Sequence, residues 1–125
     1  MNILVTGTRR PLVAEWVRII DDAFGDLIGD WSGGQDHLLI HGDAQGVDRF
    51  VAQEALRWGW RICAHPADWD AHGKAAGPIR NHEMLADHPD IDVVLAFPSR
   101  DSRGTWDMVE KAVKGRFPVR VYPLP

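Results

Sequence analysis

Four short stretches carry most of the residues capable of chemistry: Gly7–Arg10, Gly42–Gly46, Pro66–Gly77 and Pro98–Thr105. The second lies in HGDAQGVD, where Gly42, Asp43 and Gly46 form a turn and Asp48 follows in the first turn of a helix. A glycine-containing turn between a strand and a helix leaves free backbone N–H groups at the helix N-terminus. Such groups hold phosphate or another anion. Asp48 is placed to bond a sugar hydroxyl. The same residues also suit a tight left-handed turn with Asp48 as a helix cap, and this segment alone leaves both readings open.

The other three stretches point the same way. In TGTRR, the backbone at Gly7 and Thr8 can approach a phosphate and Arg9 can clamp it bidentately. Arg10 reads as a solvated charge. In the third, Asp68 and Asp70 flank Trp69, an aromatic placed to stack on a base. Lys74 sits among the small residues of Gly73–Gly77, and Arg80 and Asn81 follow in the next helix. In the fourth, Gly104-Thr105 offers a capping hydroxyl and close backbone approach. Asp107, a residue pair later, is either a catalytic carboxylate or a complement to the helix dipole.

Other chemistries find no support. None of the six histidines pairs at i, i+4 with a glutamate in the zinc-helix pattern, and no metal site is expected. The single cysteine, Cys63, sits in an apolar run and reads as a strand residue. There is no Gly-x-Ser-x-Gly elbow for a serine nucleophile. The full GxGxxG pattern and the Walker lysine are also missing.

Alternating elements must position these stretches. Strands are expected at Asn2–Thr6, Leu38–His41, Arg61–His65, Val93–Phe97 and Val119–Tyr122. Helices are expected from Pro11 through Phe24, at Val47–Trp58, at Pro78–Asp87 and at Gly104–Lys114, with Pro66–Gly77 irregular and Asp30–Asp36 a flexible loop. Val93–Phe97, the most apolar strand, is expected at the sheet centre. The β-α alternation predicts a single-domain, Rossmann-like α/β fold: a five-stranded parallel sheet, ordered 3-2-1-4-5, with helices on both faces. In such sheets ligands bind at the carboxyl ends of the strands, where all four stretches fall.

The chain has 125 residues, 45% of them apolar and 26% charged, which suits one globular domain. Its net charge of −4 argues against a broad nucleic-acid binder while permitting a local basic pocket. No apolar stretch reaches the roughly 20 residues needed to cross a membrane. The N-terminus runs directly into a strand, so a cytoplasmic protein with no membrane partner is expected.

In order along the chain, TGTR, HGxxxGxD, GKxAGxIRN and GTxDM resemble the YspA-like branch of the SLOG superfamily, found in bacteria and their phages. That superfamily includes the LOG-type nucleoside-monophosphate phosphoribohydrolases and the DNA-processing protein DprA. The resemblance spans nearly the whole chain, and the combination is far more specific than any one motif. It implies a nucleotide or nucleotide-derived ligand held by Gly42, Gly46 and Asp48, by Lys74, Gly77, Arg80 and Asn81, and by Gly104 and Thr105. No cofactor is expected, and relatives of this fold often form a homodimer through helices flanking the pocket.

In the LOG enzymes the fourth loop reads PGGxGTxxE. Here it reads PSRDSRGTWDM, which puts Met108 in the place of the catalytic glutamate and Asp107 one residue before it. The reading therefore favours a binder or sensor of a nucleotide signal. Cleavage of an N-glycosidic bond, with Arg80 and Asp107 as catalytic residues, is the alternative, and DprA-like DNA binding comes third.

Overall fold

A computed structural model describes all residues, Met1–Pro125. Five strands, β1 (Asn2–Gly7), β2 (Leu38–His41), β3 (Arg61–Ala64), β4 (Val93–Phe97) and β5 (Val119–Val121), form one sheet ordered β3-β2-β1-β4-β5. Every pairing is parallel. The helices are α1 (Ala14–Ile28), α2 (Val47–Arg57), α3 (Trp69–His72), α4 (Ala76–Asp87) and α5 (Arg103–Lys114). None is long and apolar enough to cross a membrane.

Successive residues of a strand point to opposite faces, and this alternation divides the core. Ile3, Val5, Leu39, Val93, Leu95 and Phe97 face one side, where Ile20 and Phe24 of α1 and Val47, Val51 and Ala55 of α2 cover them. Leu4, Ile40 and Val94 face the other, against Met84 of α4 and Met108 and Ala112 of α5. Covered on both faces, β4 is buried throughout. The middle strand is nevertheless β1, with β4 beside it in register Leu4 to Val94.

Three local expectations need correction. Helix α1 begins at Ala14, not at Pro11. The Thr8 carbonyl accepts from Val47 N–H at 3.1 Å, which holds the chain after β1 across the start of α2 before α1 can begin. Pro66–Gly77 is largely helical: Asp68 caps α3 through Ala71 N–H (3.0 Å), and a 3-10 turn at Gly73–Ala75 leads into α4. Pro78 lies in the first turn of α4, where a missing N–H costs no intrahelical bond. The Asp30–Asp36 loop is anchored by Trp31, which stacks on Phe24 with ring centroids 4.6 Å apart.

Candidate functional site

The carboxyl ends of β1 and β4, the α3–α4 segment and the first turn of α5 enclose a cavity of about 570 Å³. Thr8, Arg9, Asp48, Trp69, Lys74, Gly77, Arg80, Asn81, Gly104, Thr105 and Asp107 all line it, as does Gly7. Its cations are Arg9, Arg10, Lys74, Arg80, Arg100 and Arg103, and its carboxylates are Asp48, Asp101 and Asp107. A chain of net charge −4 therefore builds a locally cationic cavity. No histidine or cysteine lines it, so it offers no soft metal donor.

Asp48 is buried, and its two carboxylate oxygens differ. Oδ2 accepts from Gly42 N–H (3.0 Å) and Ala44 N–H (3.3 Å), while Oδ1 is buried with no partner. Burial pushes this carboxyl up to about 6, against the opposing pull of the Ala44 and Gly42 N–H groups and of Arg80 and Arg9. An unpartnered buried carboxylate oxygen is costly, and a ligand hydroxyl donating to it would remove that cost.

The Gly42–Gly46 turn is more occupied than its sequence suggests. Gly42 and Ala44 N–H serve Asp48, Asp43 N–H donates to His41 Nδ1 (2.9 Å), and Val47 N–H donates to Thr8 O. Burial pulls the His41 imidazole below its ordinary value, in keeping with Nδ1 acting as an acceptor. Gly46 does not reach the cavity. Its φ is +81°, and a Cβ there would meet the carbonyl oxygens of Thr8 at 2.3 Å and Arg10 at 2.9 Å. Gly42 and Asp43 line a smaller neighbouring pocket with Arg9, Trp69 and Arg80 rather than the main cavity.

The open donors lie at α5 instead. Arg103 N–H is bonded to Asp101 O and Trp106 N–H to Ser102 O, whereas the N–H groups of Gly104 and Thr105 find no acceptor in the chain. A Cβ on Gly104 would meet nothing within 4 Å. The turn thus faces open space with the positive end of a twelve-residue helix behind it.

Arg80 clamps the loops together. Its Nη1 donates to Gly42 O and to His65 O (3.3 Å), and its Nε donates to Asn81 Oδ1 (2.9 Å). Nη2 has no partner. Burial lowers the guanidinium from its ordinary value, with Asp48 and Asp43 opposing. Asn81 Nδ2 donates to Gly104 O (3.2 Å) and Asp107 Oδ2 (3.0 Å), which ties α4 to α5. Thr8 is likewise internal, its hydroxyl accepting from Ser99 Oγ at 2.6 Å.

Two side chains are engaged differently from expectation. Arg9 lies over the Trp69 ring, 4.9 Å from its centroid, so one stacking face is already occupied by a cation. Asp107 has both oxygens bound, Oδ2 by Asn81 and Oδ1 by Lys111. Met108 is fully buried in the core beneath and presents nothing to the cavity. The sequence reading also missed Arg100 and Arg103. Their signal was present in the SRDSRG stretch, which puts Arg100 just before α5 and Arg103 at its first position.

Over 129 aligned positions the chain is 33% identical to the Gene 61 protein of Mycobacterium phage D29, spanning 94% of this chain and 93% of that protein. The chain belongs to the Gene 61 family. No protein-family profile matches it. No solved structure matches it either.

Proposed function

We propose that this Gene 61 family member is a YspA-like protein of the SLOG superfamily that binds a phosphorylated nucleotide or nucleotide-derived ligand. The observation that carries the reading is the convergence of three features on one cavity. They are the free N–H groups of Gly104 and Thr105, the cations Arg9, Lys74 and Arg80, and the unpartnered Oδ1 of Asp48. The phosphate binds at the start of α5, where helix dipole and cations act together. A ribose hydroxyl donates to Asp48 Oδ1, and the base packs beside the Arg9–Trp69 pair.

Binding, rather than N-glycosidic cleavage through Asp107, fits the way that carboxylate is held. Oxocarbenium chemistry needs a carboxylate free to approach the scissile bond. Asp107 is held by Asn81 and Lys111, and Met108 is in the core. The test is mass spectrometry of small molecules released from the purified protein, paired with an assay for free base from AMP, GMP, CMP and UMP. A co-purifying phosphorylated nucleoside compound without base release is expected. Sustained base release that disappears in Asp107→Asn would instead establish the phosphoribohydrolase reading.

A further inference from the structure

Away from the cavity, three metal-ligating side chains meet at one point. Cys63 and His65 are two residues apart along the line of edge strand β3, so their side chains leave on the same side. His88 follows the C-terminal end of α4. Cys63 Sγ lies 3.4 Å from His65 Nε2, which lies 2.9 Å from His88 Nε2. All three donor atoms fall within 4.8 Å of one another, and all three residues are half-buried. The imidazole planes cross at 87° with centroids 5.1 Å apart, so the rings meet edge-on instead of stacking.

Two of the three donor separations lie close to those of a tetrahedral zinc site, and the third, Cys63 Sγ to His88 Nε2, is within 4.8 Å. Bonds of about 2.0 Å to nitrogen and about 2.3 Å to sulfur put adjacent donors roughly 3.3–3.6 Å apart. The Cys63–His65 separation already matches, and the histidine pair needs to open by only a few tenths of an ångström. Both contacts fall on His65 Nε2, which has one site for a hydrogen bond, whereas a metal ion takes one donor atom from each of the three residues.

We propose that Cys63, His65 and His88 bind a zinc-class divalent ion through one thiolate and two neutral imidazoles, with water in the fourth position. One thiolate with two imidazoles favours zinc over the hard cations calcium and magnesium. As the Sγ–metal bond forms, the Cys63 thiol releases its proton to solvent. The ion fastens β3 to α4, the helix that carries Arg80 and Asn81. Because Arg80 also donates to the His65 carbonyl, the clamp lies directly behind one wall of the cavity.

Titration of the metal-free chain with zinc, followed by calorimetry, tests the site, with cobalt as a spectroscopic probe. The expected result is one ion per chain, release of a proton and a rise in Tm. Cobalt should give the visible bands of a tetrahedral centre and a thiolate charge-transfer band. Cys63→Ser should abolish that band and weaken zinc binding at least tenfold, and His88→Gln should weaken it similarly. His72→Ala and His82→Ala, both exposed and outside the cluster, should change nothing. No one-to-one binding, or binding that survives both Cys63→Ser and His88→Gln, would overturn the proposal. If Cys63→Ser does not fold, His88→Gln and the charge-transfer band of the parent chain decide it.

Discussion

The two carboxylate oxygens of Asp48 differ: Oδ2 caps the turn that its own helix follows, and Oδ1 is buried without a partner, which is where the proposed ligand hydroxyl would donate. Its carboxyl binds a proton more tightly in the folded chain, at about 6, than its ordinary 3.8. Its contribution to stability is therefore fully present below pH 3.8 and is lost as pH rises through about 6. In Asp48→Asn, denaturant titrations across that window should show a flatter pH dependence than in the parent. Ligand affinity should run the other way, because a hydroxyl donates best to the ionised carboxylate. Affinity should rise as pH passes through about 6 and then level off. The Asn variant should bind about 10- to 100-fold more weakly, since a bond to a charged group is lost. An unchanged affinity would remove Asp48 from the ligand's contacts.

At the scale of elements, two glycines that look alike in sequence separate sharply. Gly46 is squeezed at positive φ against the carbonyls of Thr8 and Arg10, so Gly46→Val should cost roughly 2 kcal/mol or more in chemical denaturation. Gly104 sits in the first turn of α5 facing open space, so Gly104→Ala should fold and gain up to about 1 kcal/mol of helix stability. That same methyl group would stand before the free N–H groups, and phosphate-dependent binding should weaken. A Gly104→Ala protein that binds as the parent does would move the phosphate elsewhere.

Strands β2 and β4 were legible because a strand covered on both faces reads as a continuous apolar run. The helical character of Trp69–Ala75 was not legible, because α3 has only one turn and no buried residue to give it an apolar period. Nor was the Cys63–His65–His88 cluster, since β3 and the end of α4 meet only through the tertiary fold. For the candidate site, residue types indicated which loops converge. They did not show that the Gly42, Asp43 and Ala44 N–H groups are already used internally and that the donors at α5 are free.

For the whole molecule, the decisive property is the separation of charge: a net −4 chain that gathers six cations and three carboxylates around one cavity. That arrangement predicts a ligand that is anionic, small and partly held by electrostatics. Raising ionic strength should weaken its binding, as expected when the Debye length falls from about 10 Å at 0.1 M to about 3 Å at 1 M. The most direct test is calorimetric titration of the parent chain with ribonucleoside 5′-phosphates, each beside its matched unphosphorylated nucleoside. Saturable one-to-one binding of a phosphorylated member is expected, with at least tenfold weaker binding of its nucleoside. Equal affinity for the pair, or no binding by any phosphorylated member, would contradict the proposed function.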